Sequence, residues 1–168
     1  MNNLIKTFFI KHNVSVNKKS VGLKHYPNTI NSVGFFCLNS SFLEGNIIKK
    51  LKKTFGQQTQ FITFNLGNKT ENDNSYLLNS KTFDLFGKIK NPSLHKDLSD
   101  LDMLIDTTQK VSQIKNYAIS MANQAYKISF GSYDNNIYNL SINLKSLDYD
   151  LFADEVIKYH KILANGQK

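Results

Sequence analysis

Four histidines, one cysteine and thirteen carboxylates are the residues with which this chain could do chemistry. His12, His25, His95 and His160 fall in separate segments, with no pair at helical ligand spacing and no carboxylates arranged around them, so no metal site is expected. His160 sits near the end of a helical stretch, where a surface imidazole suits the helix dipole. Cys37 lies inside the apolar run 33–38, where burial raises a thiol's pKa instead of activating it, and it reads as a core residue. A lone thiol builds neither a disulfide framework nor a redox pair, and a reducing compartment is expected. No serine sits in a Gly-x-Ser-x-Gly elbow.

Phosphate cradles are missing as well. The loop Asn39-Ser40-Ser41-Phe42-Leu43-Glu44-Gly45 has neither three spaced glycines nor a Gly-Lys-Ser ending, so no nucleotide cofactor is expected, and Ser40 or Ser41 reads as a helix N-cap. The best-placed polar pair is Asn39, at the end of the run 33–38, and Asp106, which with Thr107 and Thr108 ends another apolar run. Ligands of open parallel sheets lie outside the carboxyl ends of strands, so Asn39, Ser40, Asp106 and Thr107 would border one crevice, with Lys88 adding charge from the preceding loop. The competing reading makes Asp106 a cap on the approach to the next helix.

All 21 basic residues are lysine, matched by 21 asparagines, a pairing that fits an AT-rich genome. Without the planar arginine fork, sequence-specific reading of duplex DNA is not expected. The net charge of +8 is lopsided: residues 1–70 hold ten Lys against Glu44 alone, whereas 71–168 hold eleven Lys against twelve acids. Lys6, Lys11, Lys18, Lys19 and Lys24 could therefore meet an anionic partner, RNA or a membrane surface, or another protein, although a merely solvated lysine face is the commoner meaning of such a run.

These groups need elements to hold them. Residues 2–12 place Leu4, Ile5, Phe8 and Phe9 within an arc of roughly 140°, the signature of an amphipathic helix that needs cover. From Asn13 to Asn31 the pattern loosens into a connector, so the chain divides into a basic helix and connector, 1–31, and one α/β body, 32–168. Residues 33–38 and 60–65 read as buried strands and 41–55 as the helix joining them, a βαβ unit. A short helix is expected over 93–98, a strand over 101–106, a helix over 111–123, strands over 125–130 and 137–144, and a helix over 148–164. The stretch 66–80 holds only a brief extended piece near Tyr76. The predicted sheet has about five strands in the order 2-1-3-4-5. The gap 131–136 is too short for a helical crossover, which predicts an antiparallel pair near the C-terminus.

Several stretches together resemble an uncharacterised family of small Bacteroidota proteins with a domain of unknown function. They are Ser32-Val33-Gly34-Phe35-Phe36 with the lysine-rich 49–53, Phe83-Asp84-Leu85-Phe86-Gly87-Lys88-Ile89-Lys90, Asp102-Met103-Leu104-Ile105-Asp106, Tyr117-Ala118-Ile119-Ser120, Tyr126-Lys127-Ile128-Ser129-Phe130-Gly131 and Val156-Ile157-Lys158-Tyr159. Phe86-Gly87-Lys88 is the most distinctive. The resemblance implies a cytoplasmic protein with a Rossmann-like three-layer α/β sandwich, and no known activity. The favoured expectation is a non-catalytic binding or accessory module with a basic N-terminal arm. The alternative is an enzyme or small-ligand binder using the crevice at the strand ends. A concave pocket gathering Asn39, Lys88 and Asp106 would favour the alternative, and a filled strand end the module.

Overall fold

The short apolar runs all enter one sheet. The computed structural model describes residues 2–19, 25–38, 46–67, 74–109, 112–131, 137–146 and 148–166. Within them β1 (Ser32–Cys37), β2 (Gln60–Asn65), β3 (Ser75–Leu77), β4 (Met103–Asp106), β5 (Tyr126–Phe130) and β6 (Leu140–Ile142) form a sheet in the order β3-β2-β1-β4-β5-β6. Every neighbouring pair is parallel. The chain builds outward from β1 to β3, then lays β4 on the other side of β1 and builds outward again, so the winding reverses between β1 and β4.

A parallel sheet must be covered on both faces. Val33, Phe35, Met103, Ile105, Ile128 and Phe130 meet α2 (Asn46–Phe55) and α5 (Tyr149–Asn165), through Leu51, Phe152 and Val156 among others. On the opposite face Phe36, Ile62, Phe64 and Leu104 pack on α3 (Pro92–Ser99) and α4 (Gln113–Met121). The N-caps are Asn91, with Pro92 at the first turn of α3, Ser112 for α4 and Asp148 for α5. At the amino ends of the strands, Asp102 Oδ2 accepts from the backbone N–H groups of Asn31 (2.8 Å) and Ser32 (3.0 Å), tying the entry of β1 to that of β4.

Three expectations need correction. The sheet has six strands, because the extended piece near Tyr76 pairs in parallel with Thr63, Phe64 and Asn65. The pair near the C-terminus is parallel, not antiparallel. A long crossover is needed only when the chain must return along a whole strand, but β6 starts opposite Ile128, so the return from Phe130 spans about two residues, or roughly 7 Å. Asn139 fixes that start: its N–H donates to Lys127 O (2.9 Å) and its Oδ1 accepts from Lys127 N–H (2.8 Å). Lastly, the connector is shorter than expected. The first helix, α1, runs over Asn2–Lys19, and Tyr26 and Ile30 are buried in the core. The expected start of the second helix, 41–45, lies outside the described residues.

Gly34, mid-β1, has no room for a side chain. A Cβ there would stand 2.6 Å from Leu101 Cδ1 and 2.8 Å from Phe64 Cε2. Gly34→Ala is therefore expected to lower stability by about 1 to 3 kcal/mol through overpacking, read as a lower urea midpoint with an unchanged m-value.

Candidate functional site

Two places gather the residues singled out by the sequence. The first is the carboxyl end of β4, beside the reversal of winding. Phe36 of β1 and Asp106 of β4 are register partners, and Thr107 extends the pairing, its N–H (3.0 Å) and Oγ1 (2.8 Å) both donating to Phe36 O. Asp106 is not the N-cap of α4, which is Ser112, but its Oδ1 closes a turn two residues on, at the start of the approach to that helix. Its Oδ1 accepts from Thr108 N–H (2.8 Å) and Thr108 Oγ1 (2.7 Å), and its Oδ2 from Lys115 Nζ (2.8 Å) and the Tyr138 hydroxyl. A carboxylate offers about four acceptor positions, so this one is fully used. Asp106 is 0% and Lys115 1% exposed. Ser129 lies beside Asp106 in register and shares a hydrogen bond with Ser141 of β6 (2.9 Å), continuing the polar strip across the sheet.

Sequence reading found Asp106 and Thr107 but missed Thr108, Lys115 and Tyr138. One signal was available: Lys115 falls one helical turn before Ala118 and Ile119, on the buried side of α4, where a lysine needs a buried acid. Asn39 and Ser40 lie outside the described residues. Lys88 is exposed in a hairpin packed against α1, and no hydrogen bond links it to Asp106 among the described residues.

That hairpin and α1 form the second place. Phe83 and Ile89 pair in antiparallel fashion, and Asp84 Oδ1 accepts from the N–H groups of Phe86 and Lys88 (2.8 Å each), folding the tip. Gly87 has φ +73°, and a Cβ on it would press on the Ile10 nitrogen at 3.1 Å, so glycine lets the tip meet the helix. Ile10 buries itself with Phe83 and Tyr117, docking α1 on α4. The face that the sequence marks as needing cover points outward instead: Leu4 is 78% and Phe8 66% exposed, with Ile5 beside them. Phe9 bridges Phe8 (5.7 Å between centroids) to Phe86 (5.6 Å), which is 60% exposed next to exposed Leu85.

Lysines ring this apolar surface. Lys6 donates to Ser80 O (2.6 Å) and borders, with Lys90, a crevice of about 330 Å³ over Phe83–Phe86. Lys11 is exposed one turn beyond Phe8, and Lys81 and Lys88 are exposed nearby in sequence. Lys18 and Lys19 belong to the last turn of α1, and Lys24 lies outside the described residues. Asp84, its Oδ1 occupied by the hairpin tip, is the acid lining the crevice.

His160 is not a surface imidazole. Its Nδ1 is 2.6 Å from the Tyr26 hydroxyl and its ring packs edge-on against Phe55, so burial, with Lys161 nearby, holds its pKa below the usual 6.5. Among the described residues no group of His, Cys, Asp and Glu could hold a metal ion, and no helix is long and apolar enough to cross a membrane.

A six-stranded all-parallel sheet between helical layers, with a buried ion pair at the strand ends, defines an α/β protein. Residues 6–163 match the model of a family of unknown function (DUF6913), and the chain belongs to that family. No curated protein and no solved structure matches it.

Removing one partner of the buried pair leaves the other charge uncompensated. Lys115→Met is expected to cost about 3 to 5 kcal/mol in chemical unfolding, and Asp106→Asn combined with Lys115→Met less than Lys115→Met alone. For His160 the folded pKa lies below the unfolded one, so the unfolded chain takes up the proton first as the pH falls. The stability this group contributes is present above pH 6.5 and lost below it, through the lowered folded value. Unfolding midpoints measured between about pH 7.5 and 5 should therefore decline less steeply for His160→Gln than for the natural chain.

Proposed function

We propose that this chain is a non-catalytic binding module, a Rossmann-like three-layer sandwich that presents the outward face of α1 and the 83–90 hairpin to a partner surface. The observation that carries the reading is the exposed set Leu4, Ile5, Phe8, Leu85 and Phe86, held on two ordered elements and fringed by Lys6, Lys11, Lys88 and Lys90. Contiguous exposed apolar surface rimmed by charge marks interaction sites. The partner is anionic, as the run of lysines without an acid through residue 43 supports.

The strand end weighs against the alternative of a small-ligand crevice. Asp106, Thr107, Thr108 and Lys115 are buried, and the Asp106 carboxylate has its acceptor positions filled from within the chain. The cluster acts instead as an internal tie between β4, α4 and the β5–β6 connection. Cytoplasmic residence belongs to the same reading and is supported by a single thiol, Cys37, buried in the sheet. A Bacteroidota source belongs to the same reading and rests on the resemblance carried by stretches such as Phe86-Gly87-Lys88.

The test is affinity capture from the native organism with the natural chain and with Phe8→Ser/Phe86→Ser. Because Ile10, Tyr26 and Ile30 are buried, point changes on the exposed face test it more cleanly than deleting residues 1–31. The expected outcome is a salt-sensitive partner lost with the double substitution at unchanged melting temperature. Capture that is indifferent to both salt and substitution would overturn the reading.

A further inference from the structure

Resting on that reading, we infer that the partner of the α1–hairpin face is an anionic phospholipid surface, on which the protein lies with Leu4, Ile5, Phe8, Leu85 and Phe86 entering the interface. The chemistry of the face selects this occupant. Aliphatic Leu4, Ile5 and Leu85 gain little from stacking on bases, as single-stranded nucleic acid would require, and there is no arginine to read phosphates or base edges bidentately. A protein partner needs directional pairs at a fixed register, whereas this face offers long lysines around an apolar centre. A bilayer accepts both without register: apolar side chains reach the acyl boundary while lysine stems lie along it and keep their ammonium groups at the headgroups.

The geometry fits a surface-lying helix, not an inserted one. Ile10 and Val14 hold the opposite side of α1 against Phe83, Tyr117 and α4, so the helix stays on the body while its outer side is offered. Phe86 stands beside Phe9, bringing the hairpin tip to the same surface. Lys6, Lys11, Lys88 and Lys90 supply positive charge from both elements, and each lysine near an anionic leaflet adds a favourable, salt-screened contribution.

The chain contains no tryptophan, so Leu85→Trp would introduce a single reporter at an exposed position. With vesicles of phosphatidylcholine and phosphatidylglycerol at low salt, the full chain is expected to float with the lipid and the reporter's emission to shift to the blue. Phosphatidylcholine vesicles alone should give neither result. Phe8→Ser/Phe86→Ser, folded by circular dichroism, should weaken binding at least about tenfold. Lys11→Gln/Lys88→Gln should weaken it and flatten its dependence on salt. If the serine variant fails to fold, the lysine variant and the reporter carry the test. No flotation and no blue shift on anionic vesicles overturns the lipid inference. If capture through Phe8 and Phe86 then persists, with a protein, with single-stranded RNA or as a dimer of this chain, the binding-module reading stands without the lipid. If capture is lost as well, both fall.

Discussion

The Asp106–Lys115 pair holds together the parts of the molecule on which everything else is mounted. Taking both charges out of water carries a desolvation cost that mutual attraction alone repays poorly. Here it is offset by complete hydrogen bonding, with two donors from Thr108 and one each from Lys115 and Tyr138. These donors come from the strand's own extension, from α4 and from the connection between β5 and β6, so a single carboxylate orients three segments. Because α4 is also the platform for α1, the exposed face is positioned indirectly by a pair buried inside the body.

α1 has two apolar sides with different fates. Ile10 and Val14 turn toward Phe83 and Tyr117, and the shape of that contact depends on Gly87 at the hairpin tip. Leu4, Ile5 and Phe8 are left outside. The distinctive Phe86-Gly87-Lys88 stretch gains a physical meaning here, since its glycine fits under the helix, its aromatic ring extends the outer face and its lysine stays in water.

Much of the sheet was legible because periodicity and burial coincide. Residues 33–38 are a continuous apolar run, 60–65 and 125–130 are short stretches rich in aromatic and β-branched residues, and the strand order 2-1-3-4-5 is present as β2-β1-β4-β5-β6. What escaped depends on distance in sequence. The extended piece near Tyr76 was legible, but a three-residue strand such as Ser75–Leu77 carries too little pattern to show that it joins the sheet, and the direction of β6 follows from where Asn139 pairs with Lys127, which no local rule encodes. The helical character of 13–19 was hidden by its Asn, Ser and Lys content, residues that weaken local propensity. At the strand end, Asp106 and Thr107 were visible as the close of an apolar run, but Tyr138 sits 32 positions away. Its role exists only once β5 and β6 are side by side.

The two outer strands share a design. β3 and β6 are each three residues long, and each follows a connection of nine residues, 66–74 or 131–139. A long flat edge would offer a row of unpaired N–H and C=O groups to any other extended chain, and natural sheets avoid that hazard by keeping their borders brief. The sheet therefore finishes on both flanks with little backbone left to template a further strand, which steers association with other molecules toward helices and side chains and away from strand addition.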